Sequence, residues 1–347
     1  INLSLTNGIF PNEMKTANVI PIFKSGPSFL FPNYRPVSLL TTLSKVFEKV
    51  FYNRLLNFLK KYQILYKLQF GFREKHSTYM ALLMLMEKII DALENGSYAI
   101  GLFLDFSKAF DTVDHDILLA KLEFYGIRGV ANNWVKDYLS DRHQFVTYNN
   151  ETSSHKLIRC GVPQGSILGP LLFLIYVNDL AQISEELFTI LFADDTNIFL
   201  TGDNLDTLSL SMNMHLTKLV RWLNVNKLSL NIKKTHYMIF APKNKSVKDI
   251  KICIGAESLS RVTHTKFLGV ILDQKLSWSQ HILHIKSKVS KVIGILYKAR
   301  RTLGRNYLIN LYNTLMLPYF TYCNIVWGNT CPTRLFPLVK LQKQAIR

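Results

Sequence analysis

The sequence lacks the features that mark secreted and membrane-spanning proteins. It has 347 residues and four cysteines, whose spacing matches neither a metal-binding motif nor a disulfide framework. No apolar run approaches the roughly 18 residues that a membrane span needs. The longest candidate, 167–177, is interrupted by Gly169 and Pro170. We therefore expect a globular protein of a reducing, intracellular compartment with no membrane partner.

Acidic residues are also missing from one end of the chain. No aspartate or glutamate follows Asp273, although 12 lysines and arginines lie in 274–347. The whole chain carries a formal net charge of +18. A field of one sign attracts polyanions, so a nucleic acid is the expected partner of this segment. The alternative is a basic surface that faces a membrane or serves only solubility.

Two clusters of aspartate are present, and each follows an apolar, strand-like run. Asp105 follows 99–104, whereas Asp194 and Asp195 follow 187–193. Carboxylates at the ends of buried strands are costly unless a cation lies between them, and Mg²⁺ suits such ligands together with substrate phosphates. Two metals can clamp the oxygens of a phosphoryl displacement. The pattern predicts polymerase chemistry, although paired aspartates are also typical of a solvated turn.

Hydrophobic periodicity predicts an antiparallel sheet backed by helices, an α+β fold. The helices are expected near 41–62, 77–96, 114–124, 130–140, 166–182, 204–226 and 281–303, and the strands near 19–24, 99–105, 143–148, 155–160, 235–241, 249–254 and 267–272. His281 and His284 share a face of the last helix. Without a third ligand nearby, we expect surface residues rather than a zinc site.

Further motifs occur in a fixed order with the aspartate clusters. They are 33–40 (NYRPVSLL), 69–73 (QFGFR), 161–170 (GVPQGSILGP), 228–235 (LSLNIKKT) and 267–270 (FLGV). From about Pro11 onward the chain resembles the reverse transcriptase domain of non-LTR (LINE-type) retrotransposons, most closely the jockey and CR1-like groups. The resemblance implies a right-hand polymerase fold, with fingers and an antiparallel palm sheet in 1–274 and a basic helical thumb and C-terminal region in 275–347.

The resemblance assigns catalytic roles to residues of both aspartate clusters. Asp105 and Asp194 are expected to bind two Mg²⁺ ions, for which Mn²⁺ is a substitute, with support from Asp195 and the backbone carbonyl of Phe106. Lys234 is a candidate general acid that protonates pyrophosphate, although the neighbouring Lys233 leaves this assignment open. The other acids in this region, Asp111, Asp114 and Asp116, are expected at a helix start or on the surface.

The resemblance also implies residues that bind the nucleotide. Lys24 and Arg35 are expected to hold the triphosphate. Phe110 is expected to pack under the sugar and to exclude a 2′-hydroxyl, unless it is a plain core residue. Gln164 and Gly165 are expected to open the helix at 166–182 and to contact the nucleotide or the nascent base pair.

Nucleic-acid contacts are expected from the C-terminal part. Phe267, Leu268 and Gly269 resemble a strand that grips the primer end. An apolar stripe of the 281–303 helix lies opposite a basic face, which is expected to follow the phosphate backbone. Its residues are Lys288, Lys291, Lys298 and Arg301. The implied partners are an RNA template, a DNA primer or target DNA, and deoxynucleoside triphosphates, in the nucleus and cytoplasm.

Two other functions remain open at this point. An RNA-dependent RNA polymerase usually has glycine before the aspartate pair and a polar residue in place of Phe110, so Ala193 and Phe110 favour a DNA product. A domesticated fold that only binds RNA or protein is the second alternative, against which the three intact aspartates argue. The chain begins at Ile1 and ends at Arg347, which indicates an excised domain or a broken frame, so we expect any DNA-nicking activity to come from other sequence.

Overall fold

The computed structural model describes residues 1–347 and shows a mixed fold of strands and helices. The strands are β1 Thr16–Phe23, β2 Tyr34–Leu39, β3 Tyr98–Leu104, β4 His143–Tyr148, β5 Glu151–Thr152, β6 Lys156–Leu157, β7 Phe188–Phe192, β8 Asp195–Gly202, β9 His236–Phe240, β10 Cys253–Ile254, β11 Glu257–Ser258, β12 Ser260–Arg261, β13 His264–Phe267 and β14 Val270–Asp273. The α-helices are α1 Asn2–Asn7, α2 Thr42–Lys61, α3 Thr78–Glu94, α4 His115–Phe124, α5 Val130–Leu139, α6 Leu168–Tyr176, α7 Leu205–Val225, α8 Ser279–Ala299, α9 Arg305–Leu311, α10 Leu317–Thr321, α11 Asn324–Trp327 and α12 Pro332–Ile346. No helix is both long enough and apolar enough to cross a membrane.

One five-stranded sheet has the strand order β12-β9-β3-β8-β7. All seven residues of β3 are buried, which explains why its sequence is a continuous apolar run. β3 pairs antiparallel with β9, as predicted, but the short β12 pairs parallel with β9. Gly101 is needed in β3, because a Cβ atom there would lie 2.3 Å from the Phe199 ring. The ends of β3 and β7 carry the predicted aspartates.

A second sheet is built on β1, which pairs antiparallel with β2 and parallel with β4. A cluster of buried aromatic rings lies in the same compact unit, where Phe51 and Trp134 stack with centroids 4.2 Å apart and Phe10 contacts Trp134 edge-on. Burial of such large rings is a major source of folding free energy. In the second sheet, Lys24 directly follows β1 and Arg35 lies on β2.

The chain divides into two compact units. The first consists of Ile1–Glu74, Leu104–Thr196 and Met214–Lys234, and the second of Lys75–Phe103, Asn197–Asn213 and Thr235–Arg347. The predicted catalytic and nucleotide-binding residues all belong to the first unit, and the predicted nucleic-acid contacts of 267–301 to the second. The boundary between palm and thumb near residue 275 stays a prediction.

Helix α8 in the second unit has the predicted amphipathic character. Its stripe buries Ile282, Ile285, Val289, Val292 and Leu296, and α12 packs against it. The prediction that His281 is a surface residue is wrong. Its side chain is buried beside Trp327, its Nδ1 accepts a hydrogen bond from the backbone N–H of Ile271 (3.3 Å), and burial lowers its pKa to about 4. This histidine is therefore neutral and part of the core.

Two predicted elements are broken by local turns. The helix expected at 166–182 begins only at Leu168 and ends at Tyr176, and a 3₁₀ helix, Asn178–Ile183, follows it. The strand expected at 267–272 is split into β13 and β14 by Leu268 and Gly269, whose φ angles are 44° and 85°. Two consecutive positive φ angles make a tight hairpin turn. The segment expected to be a gripping strand is therefore a hairpin tip.

Candidate active site

The backbone of Asp105 is fixed by a segment that is distant in sequence. Asp105 directly follows β3, and its carbonyl accepts a hydrogen bond from the N–H of Asn231 (2.7 Å). The N–H of Ser107 donates to the carbonyl of Ser229 (2.8 Å), so Phe106 and Leu230 form an isolated antiparallel bridge. The carbonyl of Phe106 takes part in neither bond. The LSLN part of the 228–235 motif thus positions the first predicted metal ligand.

Asp194 and Asp195 lie where the β7–β8 hairpin turns. Ala193, just before them, has a φ of 56°, which is left-handed backbone that alanine rarely adopts. Both aspartates are exposed at this turn. The turn therefore directs two neighbouring carboxylates outward from an otherwise buried hairpin.

The electrostatics show that the three carboxylates share one region. Partial loss of hydration raises the pKa of Asp194, the charge of Asp105 adds to the increase, and the charges of Arg35 and Lys24 oppose it. The pKa of Asp195 is raised to about 6, first by loss of hydration and then by Asp194 and Asp105. Repulsion among neighbouring carboxylates is relieved when a cation binds between them. The arrangement is thus poised to accept positive charge.

The donor chemistry fits a hard divalent ion, although the side chains do not form a closed ligand cage. No three histidine, cysteine, aspartate or glutamate side chains lie close enough together to hold a metal ion. Asp105 is instead paired with Lys234, whose Nζ lies 3.7 Å from its carboxylate. Carboxylate oxygens are the ligands that Mg²⁺ prefers, and Mg²⁺ usually keeps several waters and adds substrate phosphates. Metal binding by these residues is accordingly a proposal.

The structure brings Lys24 and Arg35 to the carboxylates. Arg35 lies on β2 directly opposite Ile22 of β1, and the N–H of Lys24 donates to the carbonyl of Asn33 (2.8 Å) at the end of the same hairpin. Both residues are exposed, and both oppose the increase in the pKa of Asp194. Lys234 lies at the site as well, which distinguishes it from Lys233, since only Lys234 pairs with Asp105.

Phe110, the predicted sugar-contacting residue, is half-buried. Its ring packs against Phe173 of α6 with centroids 4.4 Å apart, and the ring of Phe72 meets it edge-on at 6.3 Å. The N–H of Val162 donates to its backbone carbonyl (2.9 Å). Phe110 is thus held from more than one side but keeps some exposed surface. This is neither the burial of a plain core residue nor the freedom of a surface residue.

Gln164 and Gly165 lie in the turn that precedes α6, so the prediction that they open the helix is wrong. The side-chain amide of Gln164 donates a hydrogen bond to the carboxylate of Asp111 (2.8 Å). The backbone carbonyl of Gln164 accepts a hydrogen bond from the N–H of Ser38 (2.7 Å). Gly165 has a φ of 128°, and a Cβ atom there would lie 2.5 Å from the carbonyl oxygen of Ser38. Close contact with β2 therefore explains this glycine in the free protein.

Asp111 and Glu48 have roles that the sequence did not indicate. The carboxylate of Asp111 binds the side chain of Gln164, as described. Asp114, in contrast, caps α4 as predicted, and its carboxylate accepts a hydrogen bond from the N–H of Ile117 (3.1 Å). Glu48 is fully buried, and it accepts from the N–H groups of Ile167 (2.7 Å) and Leu168 (3.2 Å). Glu48 thereby provides an acceptor for backbone N–H groups at the start of α6, which have no partner within the helix. The sequence did contain a signal for the burial of Glu48, because this residue lies on the apolar face of α2.

Comparison with known proteins identifies the family of this chain. Residues 22–272 match the family described as reverse transcriptase (RNA-dependent DNA polymerase). The chain belongs to the reverse transcriptase family. It is 30% identical to the RNA-directed DNA polymerase from mobile element jockey of Drosophila melanogaster and to the probable RNA-directed DNA polymerase from transposon BS of the same species, in both cases over 100% of this chain. The chain spans 39% of the length of each of these relatives.

Solved structures show the same fold at low sequence identity. Apo telomerase from Candida Tropicalis matches with a TM-score of 0.53 and 12% identity, over 96% of this chain and 62% of that chain. The likeness shows the fold alone, which is the right-hand polymerase fold that the sequence predicted. The predicted family and fold class are both confirmed.

The predicted nucleic-acid contacts of this chain lie in the second compact unit. Phe267 is buried, and Leu268 and Gly269 form the β13–β14 turn. The hydroxyl of Tyr322 donates to the carbonyl of Leu268 (2.7 Å) and thereby holds this turn. Lys288, Lys291 and Lys298 are exposed on α8. Arg301 is exposed as well, but it lies in the turn after α8, because the helix ends at Ala299 and not near residue 303 as predicted. Their exposure leaves them available to a polyanion.

Proposed function

We propose that this chain is the RNA-directed DNA polymerase region of a non-LTR retrotransposon and copies RNA into DNA by nucleotidyl transfer. The observation that carries the proposal is the electrostatic coupling of Asp105, Asp194 and Asp195 beside Lys24 and Arg35, in a chain of the reverse transcriptase family. Three carboxylates that repel one another, next to the positive charges of Lys24 and Arg35, suit the binding of a nucleotide whose triphosphate arrives together with metal ions.

The residues that would hold metal are Asp105, Asp194, Asp195 and the carbonyl of Phe106. We propose two Mg²⁺ ions, with Mn²⁺ as a substitute. Bound ions would stabilise the charge that develops on the attacking and leaving oxygens of the phosphoryl transfer. The chain's own contribution is to hold the carboxylates on two fixed supports, the end of β3 and the β7–β8 turn.

The remaining site residues would bind the nucleotide and handle a proton. Arg35 presents a planar guanidinium that can clasp phosphate in a bidentate manner, and Lys24 adds a point charge. Lys234 would donate a proton to pyrophosphate from its position beside Asp105. Phe110 would lie under the sugar, where a 2′-hydroxyl would clash with the ring. Gln164, Gly165 and the Asp111 carboxylate would line the pocket wall next to it.

The polymeric partners follow from charge. We propose that an RNA template and a DNA primer or target DNA lie along the basic face of α8, in the nucleus and cytoplasm, while deoxynucleoside triphosphates enter at the carboxylates. A related fold, telomerase from Candida Tropicalis, has a structure in complex with a fragment of telomeric RNA. The palm–thumb boundary near residue 275 and the primer grip at Phe267, Leu268 and Gly269 belong to the same proposal.

Primer extension on a defined RNA template tests the function. With Mg²⁺ present, the purified chain should extend a DNA primer with deoxynucleoside triphosphates and extend it poorly with ribonucleoside triphosphates. Efficient ribonucleotide products would instead identify an RNA-dependent RNA polymerase. RNA binding without extension in either mixture would contradict the proposed activity and favour a protein that only binds RNA.

The basic face of α8 gives a separate prediction. Changing Lys288, Lys291 and Lys298 together to glutamine should reduce the salt dependence of template–primer binding. Each lost phosphate contact should lower the slope of log affinity against log salt by about 0.7–0.9. The triple variant should therefore lose about two slope units, while the KM for nucleotide should barely change. Affinity measured at several salt concentrations checks this expectation.

A matched variant controls for the loss of net charge. Lys61, Lys136 and Lys156 are exposed lysines of the first compact unit, and their replacement by glutamine removes the same three charges. For this control, the slope of log affinity against log salt should be nearly that of the original protein. If the plots of log affinity against log salt for the α8 variant and the original protein are parallel, the α8 face does not contact the phosphate backbone of the template–primer.

A further inference from the structure

A buried side chain fastens the turn that carries the paired aspartates. Gln69 is only 2% exposed, and its Oε1 accepts hydrogen bonds from the N–H of Gly71 (2.8 Å) and the N–H of Ala193 (3.0 Å). A backbone hydrogen bond adds to this contact, because the N–H of Phe70 donates to the carbonyl of Leu191 (2.8 Å). The left-handed conformation of Ala193 is therefore held from outside the hairpin by one glutamine and one stretch of backbone.

Gly71 shows how close the two backbones lie. A Cβ atom at this position would be 2.2 Å from the backbone nitrogen of Ala193 and 2.9 Å from its Cα. No side chain fits into that space. The φ of Gly71 is not in the left-handed region, so the glycine is required by this close approach and not by backbone conformation.

Phe72 continues the same segment as far as Phe110. Its φ is 52°, a conformation that a bulky aromatic residue rarely adopts, and its side chain is 53% exposed. Its ring nevertheless meets the ring of Phe110 edge-on, at an interplanar angle of 88°. Backbone strain of this kind persists where the surrounding structure enforces it, and it clusters at functional sites. Arg73 supplies such a constraint, since its guanidinium donates to the carbonyls of Tyr66 (2.8 Å) and Gln69 (3.1 Å).

We propose that residues 69–72 are a positioning segment of the active site, with a different task at each end. Gln69 fixes the turn that directs Asp194 and Asp195, and Phe72 fixes the ring of Phe110 and so contributes to sugar selection. The inference rests on the proposed polymerase function. All of these residues belong to the first compact unit.

The Gln69 end is tested by Gln69→Met, which keeps the length of the side chain and removes the acceptor. Pre-steady-state extension of a single nucleotide measures a rate constant and a burst amplitude. The rate constant should fall by about 10- to 100-fold, because small displacements of reacting groups have effects of this size. The burst amplitude, the nucleotide KM and the ratio of ribonucleotide to deoxynucleotide incorporation should stay unchanged.

The Phe72 end is tested by Phe72→Leu. This variant should raise relative ribonucleotide incorporation several-fold. Phe124→Leu, which alters another highly exposed phenylalanine, is the matched control and should leave the ratio unchanged. In a Phe110→Val background, Phe72→Leu should have no further effect, because the ring on which it acts is gone.

The outcomes separate the inference from the function on which it rests. If the original chain does not extend a primer, the proposed function fails. If it does, a Gln69→Met variant with a reduced amplitude but a normal rate constant shows a folding role only, and it overturns the positioning role. An unchanged sugar ratio in Phe72→Leu overturns the other end. Phe72 is exposed, so Phe72→Leu still tests its end of the segment even if Gln69→Met does not fold.

Discussion

Asp105→Ala or Asp194→Ala should abolish nucleotide addition while template binding persists. Each change removes one of the carboxylates that we propose as metal ligands. Loss of the metal site should remove several kcal/mol of transition-state stabilisation, and about 4 kcal/mol corresponds to a rate lower by roughly 1,000-fold. Single-nucleotide extension measures the rate, and titration with labelled template–primer measures binding.

The control for these variants is an aspartate outside the carboxylate group. Asp116 is exposed in the first turn of α4, and Asp116→Ala should extend the primer at nearly the original rate. Extension by Asp105→Ala or Asp194→Ala at that same rate would remove both residues from the metal site. A parallel loss of RNA binding and thermal stability would instead point to a structural role.

Phe110→Val should raise ribonucleotide incorporation more than it lowers deoxynucleotide incorporation. The ring is held between Phe173 and Phe72, so it cannot easily turn away from a 2′-hydroxyl placed against it. Valine keeps an apolar contact but leaves space where the ring edge was. Steric discrimination in a pocket is worth about 1–3 kcal/mol, so the incorporation ratio should shift by about tenfold or more.

Competition between the two nucleotide types in one reaction measures this ratio directly. Phe47→Val is a suitable control, because Phe47 is also half-buried but contacts Phe10 in the aromatic cluster of the first unit. Its ratio should match that of the original protein even if its stability falls. A ratio that stays constant in Phe110→Val would leave Phe110 as a packing residue.

The sequence by itself determined the family, the fold class and most regular elements. Helix α2 spans Thr42–Lys61 against a predicted 41–62, and α7 spans Leu205–Val225 against 204–226. These helices are long and strongly periodic, so their apolar faces are visible without any tertiary information. The three aspartates were predicted from composition, because they follow the continuous apolar runs that form β3 and β7.

Only the tertiary structure decided which distant groups meet. The pairing of Gln69 with Ala193, of Gln164 with Asp111 and of Glu48 with the start of α6 joins residues that lie 53 to 124 positions apart. Periodicity shows which face of an element is buried, but not which backbone donor a buried polar side chain will find there. The burial of His281 and the turn at Leu268 have the same origin, because both depend on residues distant in sequence. His281 packs against Trp327 of α11, and Leu268 accepts a hydrogen bond from Tyr322 in the turn between α10 and α11.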